Sequence, residues 1–554
     1  MKDNQNISKE KLLAEIERSK MELKKRKKYG LVWEEKPEEV VEMCKKKLPV
    51  LKEVKNKEII TDKDKPVNLL IEGDNYHALS VLNYTNAKKV DVIYIDPPYN
   101  TGNNDFIFND RYVDRKDAYR HSKWLAFMEK RLKLAKNLLK DTGVIFISID
   151  DNEQAQLKLL CDDIFEPNNF VGQIVVYKGT STGQDAQKFS NSFDYLIVYK
   201  RGNFELKDIP LSEKDQARFN KKDKRGYYAI LQLRKTGKGD RYEDRPNLYY
   251  PVVAPDGTKI YPVGPTGYKS RWRMEKGSFL QYQEDNMVEW VKQAKGWVPY
   301  VKYYSENRGK RPSNLWTDIE GNKKASIELR DLFHDKIFEN PKPTELIKRI
   351  LEVAGQKDST IIDFFAGTGT TAHATLELNS KDGGNRKFIL CTNNENNNGN
   401  GYKIAEDICY PRVKKVIEGY RNLRSEKVDG LGGNLKYFKT DFVDYDEPTD
   451  RNKIKLTEQA TEMLCVKEET FEKVLDQKNF KIFKNINHYT GIIFDQAAIP
   501  AFKKAIKDIK GKFSVYVFSL GDETFDDEFK DVKQKVQLSP IPEAILRVYR
   551  RIFK

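Results

Sequence analysis

The sequence predicts an α/β fold with a mostly parallel sheet, and two observations carry this prediction. Short apolar runs alternate with stretches of helical spacing, as in NLLIEGDNYHALSVL, where a strand at 68–71 precedes a turn and a helix. This alternation is typical of right-handed β-α-β units. Acidic or glycine-rich turns follow several of the strands, and the carboxyl ends of parallel strands form the edge at which ligands bind.

Composition and charge restrict the partner and the compartment. The 554 residues include 99 Lys and Arg against 84 Asp and Glu, a net charge of +15 that favours a polyanionic partner, although a solvated basic surface gives the same total. The cysteines form no CxxC pair and the histidines lack ligand spacing, so we expect reduced thiols, mostly in the core, and no metal site. Without a signal peptide or long apolar run, the sequence predicts a soluble intracellular protein.

The stretch VDVIYIDPPYNTG carries the strongest chemical signal. It begins as a buried strand, 90–95, which ends because neither Pro97 nor Pro98 can donate a ladder hydrogen bond. Asp96 and Tyr99 then project from the end of the strand. A flat substrate with an amino group suits this turn, since its ring can stack on Tyr99 while Asp96 and the Pro97 carbonyl accept from the NH2. A proline turn with a surface aspartate is the competing interpretation.

The elements that follow continue the same alternation. The polar loop TGNNDFIFNDRYVDR precedes a helix with apolar positions from Trp124 to Leu139, and we expect Gly143 to end that helix before a strand at 144–149. Three acidic residues come next, and we favour helix capping over metal binding for Asp150, Asp151 and Glu153. A pair of strands is predicted at 172–177 and 195–199.

A second informative stretch is TIIDFFAGTGTTAHATLEL, which predicts a strand, a glycine-rich turn and a helix. Gly367 and Gly369 permit positive φ and close approach of a ligand. The turn lacks the lysine of a P-loop and the third glycine of the dinucleotide fingerprint, so it disfavours ATP and NAD and leaves another adenosine-type cofactor open. Glu395 follows the next strand and is positioned to accept hydrogen bonds from ribose hydroxyls.

The regions around these motifs differ in character. Residues 1–60 predict a charged helical arm, and 440–554 predict a separate small α/β unit, for which assembly is the default role. In 178–335, aromatic and basic residues interleave, a mixture suited to phosphate contacts and base stacking, or alternatively to an all-β insertion with its own core. Within it we select Arg271 and Arg273 as DNA contacts; in the alternative they are merely solvated.

DPPY after one strand and DFFAGTGTT after a later one, in that order, resemble the β group of DNA amino-methyltransferases. The chain is more closely similar to the modification (Mod) subunits of type III restriction–modification systems. The similarity covers nearly residues 30–420, in stretches that include NLLIEGDNYHAL, GVIFISIDDNE, NSFDYLIVYK, RPNLYYPVV, FENPKPTELIKRIL and TNNENN. It implies a Rossmann-like, S-adenosylmethionine-dependent sheet of circularly permuted motif order. Its catalytic half would be 61–177, its cofactor half 336–439, and the target-recognition region 178–335.

The resemblance also implies roles for individual residues. The target base would be gripped by Asp96, Pro97, Pro98 and Tyr99. The cofactor would be held at its adenine by Asp74, at its ribose by Glu395, and elsewhere by Asn340, Lys342, Pro343, Asp363, Phe365, Gly367 and Gly369. Phe364 departs from the family, in which many members carry proline. Asp rather than Ser at the first motif position favours adenine over cytosine.

These observations predict a site-specific adenine N6-methyltransferase that flips its target out of duplex DNA. We expect a cytoplasmic, nucleoid-associated prokaryotic protein that forms a homodimer and can partner a restriction subunit. The alternatives are an RNA or other amino-methyltransferase, a solitary regulatory DNA methyltransferase, and a DNA-specificity subunit with weak catalysis. The intact DPPY and glycine loop oppose the last of these.

Overall fold

The computed structural model describes residues 33–103, 105–179, 189–306, 308–319, 321–394, 401–445, 449–521, 523 and 525–553. The chain forms two compact units, of which the smaller comprises residues 207–312 and the larger the remainder. Among the helices in the described ranges, none is long and apolar enough to cross a membrane.

The larger unit is built on an eleven-stranded sheet. Its strands are β1 (Lys47–Glu53), β2 (Ile59–Ile60), β3 (Val67–Glu72), β4 (Val90–Ile95), β5 (Leu139–Ile149), β6 (Phe170–Tyr177), β7 (Phe193–Lys200), β8 (Leu315–Trp316), β9 (Thr360–Asp363), β10 (Lys387–Thr392) and β11 (Asn434–Asp444). They lie in the order β1-β11-β3-β10-β9-β4-β5-β7-β6-β8, with β2 beside β11. Strands β11 to β5 in this order are parallel, and β7 is antiparallel to both neighbours. The predicted α/β class is confirmed.

Helices cover both faces of this sheet. They are α1 (Glu39–Met43), α2 (Asn75–Thr85), α3 (Arg120–Leu138), α4 (Gln154–Phe165), α5 (Asn322–Phe333), α6 (Thr344–Ala354), α7 (Thr370–Asp382) and α8 (Tyr410–Glu418), the last preceded by a π-helical turn, Ile404–Cys409. Helices α2 to α4 share one core with the sheet, through residues such as Leu79, Trp124 and Leu157. Helices α7 and α8 share another, through Ala372 and Val413. The turns that follow β4 and β9 therefore leave the sheet between its two layers of helices.

Two predictions about the first 150 residues are wrong. Residues 47–53 were assigned to a helical arm, but they form β1, antiparallel to β11, because Leu48, Val50 and Leu51 are buried within a charged stretch that hides them. Gly143 does not end a helix: α3 ends at Leu138, and Gly143 lies inside β5. A Cβ there would come within 2.9 Å of the Val90 carbonyl oxygen, so this glycine permits a close approach of two strands.

The C-terminal region has the predicted α/β composition but is not a separate unit. Strand β11 crosses the predicted boundary at 440 and belongs to the main sheet. The remaining elements are α9 (Asp450–Glu458), α10 (Thr461–Glu468), β12 (Glu472–Asp476), β13 (Phe480–Lys484), β14 (His488–Ile493), α11 (Ile499–Ile506), β15 (Lys512–Phe518), β16 (Val536–Ile541) and α12 (Glu543–Ile552). Helices α10 and α12 pack on α2, which joins this region to the main core.

The smaller unit is narrower than the predicted insert of 178–335, because β7, β8 and α5 belong to the larger unit. Its four-stranded antiparallel sheet consists of Lys221–Asp223, Gly226–Gln232, Val288–Gln293 and Gly296–Tyr304, and its helices are Glu213–Gln216 and Lys276–Glu284. A core of its own forms around Leu233, Trp272 and Phe279. The all-β interpretation of this region is therefore largely correct.

Candidate active site

A cavity of about 620 Å³ opens where β3, β4, β9 and β10 end. Its wall contains both sequence motifs, with Asp96 to Tyr99 on one side and Phe365 and Gly367 on another. Asp74, Asn340 and Lys342 also line it. The carboxyl edge of the parallel sheet thus brings together Asp74 and Gly367, which are 293 positions apart in the chain, as expected for this class of fold.

The turn after β4 is held rigidly by neighbouring helices. The indole Nε1 of Trp124, on α3, donates to the Pro98 carbonyl at 2.7 Å, and Trp124 is fully buried. Asn100, which follows Tyr99, has a φ of +57° and is also fully buried. Its amide donates to the Glu153 carboxylate at 2.5 Å and to the Arg120 carbonyl at 3.3 Å. The Asp96–Tyr99 turn therefore has little freedom to shift.

Glu153 was expected to cap α4, and this prediction is wrong. Its side chain makes no capping bond and instead accepts from Asn100 and contacts His121 Nδ1 at 2.7 Å. Burial raises the pKa of Glu153 to about 8, and hydrogen bonding from Asn100 acts in the opposite direction. Asp150, predicted as another cap, accepts from the backbone of Asn152 within the turn.

Charged groups converge on Asp96. The Tyr99 hydroxyl donates to Asp96 Oδ1 at 2.9 Å, and Lys342 Nζ lies 3.3 Å from the same oxygen. Lys342 also donates to the Tyr99 hydroxyl at 2.6 Å. Burial raises the pKa of Asp96, while Lys342 and Tyr99 act to lower it. The contacts from Tyr99 and Lys342 are both made to Oδ1 of Asp96, and neither involves Oδ2.

The glycine turn after β9 is shaped mainly by its backbone. Asp363 accepts hydrogen bonds from the Thr371 hydroxyl at 2.5 Å and the Phe365 amide at 3.1 Å, so it stabilises the turn from within. Burial raises the pKa of Asp363 to about 7. Gly367 has a φ of +48°, and a Cβ there would meet no atom closer than 3.9 Å. This glycine therefore leaves open space beside the cavity.

The other end of the cavity contains Asp74, the N-cap of α2, which accepts from the Tyr76 amide at 2.7 Å. The buried guanidinium of Arg131 lies 3.4 Å from Asp74 and makes a two-pronged contact with Glu38. Phe127 packs against Phe365, with ring centroids 5.9 Å apart. The acidic side chain of Asp74 and the aromatic rings of Phe127 and Phe365 thus line the same cavity.

These residues fit S-adenosylmethionine by the chemistry of their side chains. A cavity of this volume suits a ligand of that size. The carboxylate of Asp74 complements a cationic ligand, Phe127 and Phe365 offer apolar surface, and the missing Cβ of Gly367 gives a ligand room beside the backbone.

Three of the predicted cofactor residues are not on the cavity wall, and a fourth lies outside the part of the chain that the structure describes. Asp363 is turned into the glycine loop, and Pro343 lies at the start of α6, beside a smaller cavity. Gly369, with a φ of +79°, faces α8: a Cβ there would lie 3.1 Å from Cys409 Sγ and 3.3 Å from Val413 Cγ2. Glu395 falls outside the described residues.

The two arginines chosen as DNA contacts lie in the smaller unit and bond to its own backbone. Arg271 Nε donates to the Gly239 carbonyl at 2.6 Å, and Arg273 Nε donates to the Gln232 carbonyl at 2.9 Å. Trp272 between them is 2% exposed and donates to the Tyr250 carbonyl. Trp272 is therefore core. The DNA role of the arginines stays a prediction, and a DNA contact by either of them would compete with these hydrogen bonds.

Several supporting residues were missed by sequence analysis. Arg412, fully buried on α8, donates to the Thr368 and Thr370 hydroxyls at 2.8 and 2.9 Å and so braces the glycine loop. Asp194 contacts Lys342 at 3.3 Å. Single polar residues in apolar runs, as in YPRV and NSFDYLIVYK, were the available signal.

The sequence matches the DNA methylase family over residues 90–408, more than half of the chain, and the protein belongs to this family. Membership confirms the predicted class and, with it, S-adenosylmethionine as the cofactor.

Among individual relatives, the StyLTI Mod subunit of a type III restriction-modification enzyme from Salmonella typhimurium is 36% identical, over 64% of this chain and 57% of its own length. The type II methyltransferase M.KpnI from Klebsiella pneumoniae is 34% identical, over 64% of this chain and 89% of its own. The EcoPI Mod subunit from Escherichia phage P1 is 33% identical, over 63% of this chain and 62% of its own length. The chain thus spans little more than half the length of these Mod subunits. A solved M1.HpyAVI–SAM complex is similar at 12% identity and a TM-score of 0.28, over 60% of this chain and 96% of that one, which carries no argument about the site.

Proposed function

We propose that this protein is a site-specific DNA methyltransferase that modifies adenine N6 in duplex DNA. The observation that carries the proposal is that the Asp96–Tyr99 turn and the Gly367 loop line one cavity. A base-binding turn and a cofactor loop must share a site if a methyl group is to pass between their ligands. Family membership supports the same conclusion.

The residues of the turn suit an amino group as methyl acceptor. An exocyclic nitrogen is a poor nucleophile because its lone pair is delocalised into the ring. Hydrogen bonds from the NH2 to Asp96 Oδ2 and the Pro97 carbonyl favour a pyramidal nitrogen, and Tyr99 offers a stacking surface for the flipped base. When bound, S-adenosylmethionine supplies a sulfonium methyl group: an N–C bond forms as the C–S bond breaks, and an amino proton is released.

The biological setting proposed is that of the modification subunit of a type III restriction–modification system. The similarity to the StyLTI and EcoPI Mod subunits supports this, whereas the similarity to the type II methyltransferase M.KpnI keeps a setting outside type III systems open. In this setting the protein acts as a homodimer on the nucleoid of a prokaryotic cell and partners a restriction subunit.

Sequence readout is assigned to the smaller unit, 207–312. Base-edge contacts need a surface distinct from the catalytic sheet, and this unit has its own core and exposed basic and aromatic side chains, including Tyr227 and Lys238. Exchange of this segment with that of a relative is expected to change the methylated sequence and to leave adenine N6 as the target atom.

The deciding experiment is modification-sensitive sequencing of DNA from cells that express this chain alone, beside the Asp96→Ala variant. The expected result is N6-methyladenine within one short sequence, absent in the variant. Modified cytosine would reject the target atom, and methyl transfer only to RNA would reject DNA as the substrate. Binding to a specific sequence without any methylation would favour a specificity subunit.

A further inference from the structure

Asp194 lies at the start of β7, outside both motifs. Because β7 runs antiparallel to β5, with Tyr195 opposite Ile149, its first residues lie at the edge where β4 and β5 end. The Asp194 side chain is 12% exposed. Its Oδ1 accepts from Lys178 Nζ at 2.7 Å, and its Oδ2 lies 3.3 Å from Lys342 Nζ.

Lys342 is therefore shared between two carboxylates, while it donates to the Tyr99 hydroxyl at 2.6 Å. Its Nζ is 3.3 Å from Asp96 Oδ1 and 3.3 Å from Asp194 Oδ2. Charge-assisted contacts are usually shorter, about 2.7–2.9 Å, so neither carboxylate holds the ammonium tightly. Burial lowers the pKa of Lys342, but Asp96 and Asp194 more than offset this and raise it, which keeps the ammonium charged.

We propose that Asp194 is a positioning residue for methyl transfer: it holds the Lys342 ammonium away from a tight ion pair with Asp96. The inference rests on the proposed function. Asp96 is partly buried, with its side chain 26% exposed, so a cationic neighbour favours its ionised form. An ammonium closed onto it would, however, compete with the amino group of the target base. Sharing Lys342 with Asp194 meets both requirements.

Asp194→Asn removes the competing charge, so Lys342 closes onto Asp96. We expect kcat/KM for DNA to fall at least about tenfold, while the Kd for S-adenosylmethionine changes less than about twofold. The acid limb of the pH profile should move to lower pH, because the Asp194 charge raises the pKa of Asp96 and its loss lowers it. A merely structural residue would not move this limb.

The matched control is Asp162→Asn. Like Asp194, Asp162 accepts from a lysine, Lys158 at 2.7 Å; its other partner is the Tyr199 hydroxyl at 2.6 Å, and it lies on α4, away from the cavity wall. Lys178→Met is the opposite perturbation: Asp194, without its other partner, draws Lys342 from Asp96, and the acid limb should move to higher pH. This variant also serves if Asp194→Asn does not fold.

Opposite shifts of the acid limb in the two variants, with no shift in the control, support the inference. Rates and pH profiles equal to those of the control in both variants would overturn it and leave the methyltransferase function standing. If the unaltered protein transfers no methyl group to DNA, the proposed function fails, and this inference fails with it.

Discussion

The turns after β4 and β9 line the same cavity but are built in different ways. The β4 turn presents side chains to the cavity: Tyr99 donates a hydrogen bond to Asp96, and Lys342 contacts the same carboxylate. The β9 turn presents backbone: Gly367 has open space where a side chain would lie, and Asp363 is used within the turn. One turn should therefore be sensitive to the removal of atoms and the other to their addition.

The largest expected effect comes from removing the Asp96 carboxylate. Asp96→Ala takes away the acceptor for the target amino group, so methyl transfer should fall by about 10²–10³-fold or more, the range for losing one aligned catalytic hydrogen bond. Cofactor affinity by calorimetry should change little. Asp141→Ala, at an exposed aspartate on β5, is the control. Near-normal transfer by the Asp96 variant would contradict the assignment of the β4 turn.

The next largest effect separates the two glycines of the β9 turn. Gly367→Val and Gly369→Val share the strain of a positive φ, about 1–3 kcal/mol, so their difference reports where the added side chain goes. At 367 it enters the space beside the cavity, and S-adenosylmethionine affinity should fall at least about tenfold. At 369 it meets Cys409 and Val413, so the melting temperature should fall more than the affinity.

Isothermal titration and thermal melting of both variants provide the comparison. Loss of cofactor affinity confined to the Gly369 variant would contradict the orientation of the glycine loop and return this residue to the cofactor site that the sequence predicted for it.

The sequence was most informative where a signal is local. Both motif strands, the order of the motifs and the cavity edge follow from apolar runs with punctuating Pro and Gly, and these predictions are confirmed. Asp194 and Arg412 were missed because their partners, Lys342 and Thr368, lie in loops far away in the sequence, and the strand order that brings them together is not readable from local pattern. β1 was missed because flanking charges outweigh its three apolar residues.

A smaller effect is expected at Glu153, which fixes the β4 turn from behind. Its pKa in the folded protein, about 8, is above its ordinary value of 4.5, so the stability it contributes is full below pH 4.5 and is lost as pH rises to 8. The negative charge of Asp150 also raises the pKa of Glu153, and the positive charge of Arg120 lowers it. Glu153→Gln, which cannot ionise, should gain stability relative to the unaltered protein between pH 5 and 9.

The expected gain of Glu153→Gln grows by up to about 1.4 kcal/mol for each pH unit between the two pKa values, measured as the difference in unfolding free energy across the pH series. Glu418→Gln, at a half-exposed position on α8, is the matched control and should give a flat difference. A flat difference for Glu153→Gln as well would show that its carboxyl ionises as it does in the unfolded chain.

The smallest effect concerns the smaller unit, where the same distinction applies between side chains already used in the fold and side chains that are available. Arg271 and Arg273 each donate to a backbone carbonyl of their own unit, so the double alanine variant should lose thermal stability. Its affinity for specific and random duplexes should change by less than about threefold. The control replaces the exposed Lys238 and Lys276 with alanine, which removes the same charge without breaking those hydrogen bonds.

The lysine variant should weaken binding to both duplexes more than the arginine variant does, and most at low salt. Titration at two salt concentrations distinguishes the two pairs. A larger, salt-dependent loss in the arginine variant would establish these guanidinium groups as phosphate contacts, because each such contact steepens the salt dependence by about one counterion.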